Sequence, residues 1–260
     1  MTGFAQVLAA GETLEDGLAV EVPSRWLQGR TAYGGFSSAL ALVAAQQVGG
    51  DLPPLRSAQL AMMAPLSGRI EAHAKVERQG RNATWVSAQI TGDKGPAFTA
   101  SFVFMRAIES TLTLDERPVP DDVVALEDAP PMAPDLLAPF IRDHFDVRLG
   151  VPVQGEREPD YCWWLRSRDC GTLDPMVEIL LCGDGLPPGV LPMMPALVPV
   201  SSMHWQVNLL TALPQTRDGW WLLRSTGDFA RHGCSSQRMA MWNAQGQAIL
   251  AGMQSIALFG

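Results

Sequence analysis

From Gly34 to Gln47 nearly every position is apolar or small, and the run stops at Gly49-Gly50. That pattern predicts a helix without a polar face, which has to be wrapped by other elements, with the paired glycines ending it. Alternating stretches follow at 55–63, 69–78, 84–91 and 97–105, separated by turn residues at Gly80 and at Gly92-Asp93-Lys94-Gly95. These read as an antiparallel meander of four strands.

The second half repeats the order. Asp174 is placed to cap a helix from Pro175 to Cys182, with proline suiting the first turn. Strands are then expected at 199–210, 220–228, 235–242 and 248–258. Setting Gly95 on Gly246 lays the last hairpin of one copy on the other without a gap and puts Val103 opposite Gln254. Setting Pro54 on Pro199 puts Ser57 opposite Ser202. Few identities survive, so the repeat rests on matched order, length and turns. Each unit would leave part of its sheet uncovered, and two joined units can shield each other.

Net charge is −8, which argues against a nucleic-acid partner. The charge is uneven, because residues 107–160 hold thirteen carboxylates against four arginines, with eight prolines. That composition suits a connection better than a core, with room for a short surface helix at 136–145. The expected organisation is an N-terminal unit at 1–106, an acidic Pro-rich linker at 107–160 and a C-terminal unit at 161–260. Glu12, Glu15 and Asp16 stand where a secretory signal would be apolar, and no stretch is long and apolar enough for a membrane span. A cytoplasmic address with no membrane partner is the expectation. The four cysteines show neither zinc-site spacing nor disulfide density and are expected to be reduced and mostly buried.

Louder catalytic signatures are absent: no Gly-x-Ser-x-Gly elbow, no phosphate-binding glycine loop and no His-Glu-x-x-His. Gly34-Gly35 at a helix start could present backbone N–H groups to an anion or a polarised carbonyl, and tight packing against a sheet explains paired glycines equally well. Six tryptophans, at 163, 164, 205, 220, 221 and 242, crowd the second half; some could line a pocket, with core packing the default.

Tyr33-Gly34-Gly35 before an apolar helix, Arg56-Ser57 after Pro53-Pro54, and Val76-Glu77-Arg78-Gln79-Gly80-Arg81 resemble the N-terminal half of double-hotdog acyl-CoA thioesterases. Trp221-Leu222-Leu223, Gln245-Gly246 and Gln254 resemble their C-terminal half. The resemblance implies an α+β double hotdog: two repeats of a central helix wrapped by an antiparallel sheet. It also implies hydrolysis of acyl-CoA or another acyl thioester without metal or cofactor, by a water activated by Asp184 with Ser202 and Gln254. These residue types suit the chemistry. A desolvated carboxylate is a stronger base near neutral pH, and a hydroxyl and an amide can each orient water.

Gly35 N–H, beside Gly34, is the candidate oxyanion donor. One departure stands out: the family usually has an acidic residue two positions after the hydroxyl, where this chain has His204. A hydratase or dehydratase on the same fold using His204, or a non-catalytic acyl-CoA-binding protein, are the rivals. The first copy offers Gln46 or Gln47, Ser57 and Val103 in place of the trio, with no carboxylate, which points to one site per chain. Exposed sheet edges would permit a homo-oligomer.

Overall fold

The apolar run beginning at Gly34 is a helix of sixteen residues, and a curved sheet closes around it. A computed structural model describes residues 2–152, 157–196 and 198–259. The N-terminal unit comprises α1 (Phe4–Ala9), β1 (Glu12–Leu14), β2 (Gly17–Val22), the small hairpin β3 (Leu27–Gln28) and β4 (Thr31–Ala32), and α2 (Gly34–Gly49). It continues with β5 (Leu55–Met62), β6 (Gly68–Gln79), β7 (Ala83–Gly92) and β8 (Gly95–Met105). Next come α3 (Pro139–His144), β9 (Phe145–Leu149), β10 (Asp160–Ser167) and α4 (Pro175–Gly183). The chain closes with β11 (Val200–Leu209), β12 (Trp220–Arg231), β13 (Cys234–Asn243) and β14 (Ala248–Leu258).

Twelve strands form one sheet in the order β1-β2-β6-β7-β8-β5-β11-β14-β13-β12-β10-β9. The two units join at β5 and β11, which run antiparallel with Gln59 opposite Gln206. Around that pair Ser57 meets Asn208 and His204 meets Ala61, so the junction is self-complementary, as a two-fold interface requires. α2 and α4 pack against each other within this sheet. Phe36, Ala39, Leu40, Ala41 and Leu42 of α2 are fully buried, the outcome expected of a helix lacking a polar face. Asp174 caps α4, its carboxylate accepting from Met176 N at 3.0 Å and Val177 N at 3.3 Å.

The registers correct the expected superposition of the copies. Gly92 pairs with Gly95 across two residues, whereas the matching turn, in which Asn243 N donates to Gln247 O, encloses three. Val86 therefore pairs with Phe102, while Gln237 pairs with Gln254. The counterpart of Gln254 is Phe102, not Val103. Both units also bulge at the same place: Leu55 pairs with Phe104 and Ser57 with Val103, as Ser202 pairs with Ile256 and His204 with Ser255. Ser202 thus corresponds to Leu55, and His204 to Ser57.

The acidic stretch is more than a connection. Its helix α3 is buried through Phe140 and Ile141 rather than lying on the surface, and β9 pairs with β10. Earlier in the stretch, Leu126 and Ala129 join Trp164, Trp220, Leu222 and Trp242 in a second apolar cluster. Trp164 and Trp242 donate their indole N–H to the carbonyls of Val124 and Arg117. Several carboxylates of the stretch are held by arginines of the second unit, with Arg224 gripping Asp122 through two bonds of 2.8 and 2.9 Å. Of the cysteines, Cys162 and Cys182 are buried and free, but Cys170 and Cys234 are exposed. Among the described residues, no helix is long and apolar enough to cross a membrane.

Candidate active site

α2 and α4 run so that the start of one meets the end of the other, and the two junctions differ in chemistry. At the first, Tyr33 caps α2 without a side-chain bond to its N–H groups, leaving the positive end of a long helix open. Into that opening comes Asp184, the residue that ends α4. The approach depends on glycine: a Cβ at 34 would overlap Asp184 Oδ2 and touch Met62 Cε, and one at 35 would strike the Leu181 carbonyl and the Tyr33 ring.

Asp184 is 9% exposed, Gln254 4%. Gln254 Nε2 donates to Asp184 Oδ1 at 2.7 Å and to Ser202 Oγ at 3.0 Å. The three residues come from the end of α4 and from β11 and β14, so the tertiary fold brings the expected trio together. Ser202 reaches it through the bulge at Met203. In a regular strand Ser202 and Trp205 would face opposite sides, but the extra residue lets both face the helices.

Burial pushes the Asp184 carboxyl up to about 7, against the opposing pull of the Gln254 amide and the Gly35 N–H. The Gly35 N–H, expected as an oxyanion donor, is directed at Asp184 instead. Tyr33 is fully buried, its hydroxyl donating to the Leu181 carbonyl at 2.8 Å, and burial holds its pKa well above the usual phenol value. Above the trio lies a cleft of about 780 Å3 with Gly34 and Ser202 in its wall. Met62, Leu66, Phe98 and Val200 give it an apolar lining, and Arg30 stands on its rim.

His204 is not part of this assembly. It sits on the exposed side of β11, next to the inward Trp205, and does not line the cleft. The six tryptophans of the second half are all buried in the two apolar clusters. Several buried polar residues escaped the sequence reading, two of them near the trio or on α4. Glu178 accepts from the Trp221 indole at 2.9 Å on the first turns of α4, and Gln237 donates to Gln254. The signal for Gln237 was available, since it falls at an inward position of its strand between Ser235 and Met239. Among the described residues, no group of three His, Cys, Asp or Glu side chains is gathered to hold a metal ion.

Two family descriptions match the chain: an acyl-CoA thioesterase N-terminal domain over residues 22–105 and an acyl-CoA thioesterase C-terminal domain over residues 120–258. Among curated proteins no sequence matches. The chain is similar to solved structures along its whole length. A protein with a hot dog fold from Alicyclobacillus acidocaldarius superposes with a TM-score of 0.84 at 19% identity, covering 100% of this chain and 99% of that one. The acyl-CoA thioesterase II TesB2 from Mycobacterium marinum gives 0.72 at 17% identity, with 98% of each chain covered. The dehydratase domain of RzxB from Pseudomonas fluorescens gives 0.56 at 11% identity, covering 98% of this chain and 99% of that one. At these identities the structures establish the α+β hotdog fold, here in double form.

Proposed function

We propose that this chain, which belongs to the acyl-CoA thioesterase family, hydrolyses its substrate with a water activated by Asp184, Ser202 completing the water's contacts and Gln254 holding both in place. The observation that carries the reading is the Gln254 amide bonded at once to a buried carboxylate and to a hydroxyl at the foot of the cleft. Asp184 supplies a base poised near neutral pH, because its carboxyl lies at about 7 and a base works best with a pKa close to the working pH. Both N–H bonds of Gln254 are already engaged, so Gln254 fixes the base and the hydroxyl rather than touching water itself. Ser202 accepts from Gln254 and therefore keeps its own O–H to donate towards the water or the thioester carbonyl.

In the reaction the water oxygen bonds to the thioester carbon as its proton passes to Asp184. The positive end of α2 at Gly34 faces the charge that develops on the carbonyl oxygen. The C–S bond then breaks, and the proton held by Asp184 goes to the departing thiolate. Products are the free acid and CoA. Acyl chains would lie against Met62, Leu66 and Phe98, in the apolar part of the cleft. The first unit contributes Gly34 and pocket wall, and the second contributes the reacting groups, giving one site per chain.

Thiol release from short, medium and long acyl-CoAs tests the reading, comparing the native chain with Asp184→Asn. The variant should lose at least about 100-fold in turnover, the usual worth of a general base. An unchanged rate would remove Asp184 from the mechanism. Hydration of an enoyl thioester without thiol release would replace hydrolysis by hydratase chemistry, although His204 points outward and is not placed to serve as its base.

A further inference from the structure

We propose that Gln237 is a positioning residue of this active site, setting which end of the Gln254 amide faces Asp184 and Ser202. The inference rests on the reading that Asp184 and Ser202 carry the hydrolysis. Gln237 is 1% exposed and lies directly opposite Gln254 on the neighbouring strand. Its Oε1 accepts from Gly189 N at 2.8 Å, and its Nε2 donates to Gln254 Oε1 at 2.8 Å.

The direction of this relay is not arbitrary. An amide side chain can be turned end for end at almost no steric cost, and only its partners decide which way it sits. A backbone N–H can only donate, so Gly189 forces the oxygen of Gln237 towards itself and the nitrogen towards Gln254. Gln254 must then offer its oxygen to Gln237 and its nitrogen to the base and the hydroxyl. Reversed, it would set a carbonyl oxygen against the Asp184 carboxylate.

The same pair of amides also clamps the loop that carries the base. Asp184 at one end is bonded to Gln254, and Gly189 at the other end is bonded to Gln237. Gly189 fits there because it has no side chain: a Cβ would run into Gly227 N and the Ser225 carbonyl of β12. Packing alone does not call for an amide at 237. In the first unit the corresponding cross-strand pair is Val86 with Phe102, both fully buried and apolar.

The test uses Gln237→Met, which keeps the volume and removes both bonds, and Gln237→Glu, which keeps the bond from Gly189 but has no N–H for Gln254. Thiol release is followed from pH 5 to 9 alongside thermal unfolding, with Asp184→Asn and the double variant Asp184→Asn/Gln237→Met as references. Both single variants should lose about 10–100-fold in kcat, the scale of a misplaced reacting group, with KM within about 3-fold of native. The acid limb of the rate profile should move to higher pH, since losing the Gln254 donor removes a bond that favours the ionised base. That limb belongs to Asp184, because burial pushes the nearby Tyr33 and Cys182 well above their usual values. In the Asp184→Asn background, Gln237→Met should change the residual rate by less than about 2-fold, as expected of residues acting as one unit. A native kcat and an unmoved acid limb in folded Gln237→Met would overturn the inference, as would a fall in melting temperature with kcat unchanged. If Asp184→Asn stays active, the catalytic reading itself fails; if it is inactive while the Gln237 variants are normal, only the inference fails.

Discussion

The two units place different chemistry on one scaffold. At matched positions the first unit has Leu55, Val86 and Phe102, all buried in its core. The second has Ser202, Gln237 and Gln254, joined by hydrogen bonds. The helix junctions differ in the same way. Where α4 begins, Asp174 bonds two backbone N–H groups and receives the Gln46 side chain at 3.2 Å, so the helix start is closed. Where α2 begins, Tyr33 supplies no side-chain cap, and the Asp184 carboxylate from the end of α4 meets the helix start across two glycines. The proposed site therefore lies where one copy exchanges three apolar contacts for a polar network and the start of α2 is met by a carboxylate from the other helix instead of a cap of its own.

The sharpest way to break the contrast is to neutralise Asp184. Asp184→Asn should lower turnover by about 100- to 10,000-fold in a thiol-release assay. Its stability should change in the opposite sense above neutral pH. A carboxyl raised from 3.8 to about 7 on folding binds its proton more tightly in the native state. That contribution is complete below pH 3.8 and is lost as pH rises through 7, on the order of 4 kcal/mol. The native chain should therefore melt lower at pH 8 than at pH 5.5 by a margin that Asp184→Asn removes, and kcat/KM should rise through pH 7.

Giving the second unit the apolar character of the first is the next largest change. Gln254→Leu should reduce kcat by about 100-fold, a typical cost of misplacing reacting groups. It should also cost about 1–3 kcal/mol in denaturant unfolding, because Gln237 and Asp184 lose a buried partner. Crowding the start of α2 is milder. Gly34→Ala forces a methyl group against Asp184 Oδ2 and should lower kcat/KM by about 10-fold and stability by about 1–3 kcal/mol. The smallest effect is expected outside the network: His204→Ala should leave kcat/KM within about 2-fold and unfolding within about 0.5 kcal/mol. A large loss there would show that the exposed side of β11 takes part in catalysis.

The fold was legible wherever a pattern is local. A nearly continuous run of apolar and small residues before Gly49-Gly50 reads as a wrapped helix, and the alternation from Leu55 onwards places four strands within a residue or two of their observed ends. β2 went unread because Gly17–Val22 is buried on both faces and does not alternate. A helix at α3 was foreseen, but its burial and the strand β9 were hidden by the acidic and proline-rich residues around them, some of whose charges are met by Arg224, Arg217 and Arg166 from the second unit.

The site divides along the same line. Asp184, Ser202 and Gln254 could be named only through the resemblance to double-hotdog thioesterases, and Gly34-Gly35 because paired glycines at a helix start are conspicuous. The sequence by itself determined that the chain is a duplication with a carboxylate in only one copy. Which serine is inward, where His204 points and what Gln254 touches were decided by one residue inserted in a strand and one added to a turn. Strand faces alternate with every residue, so a shift of one exchanges inside for outside. That parity is set by pairing between segments far apart in the chain, and only the assembled sheet reveals it.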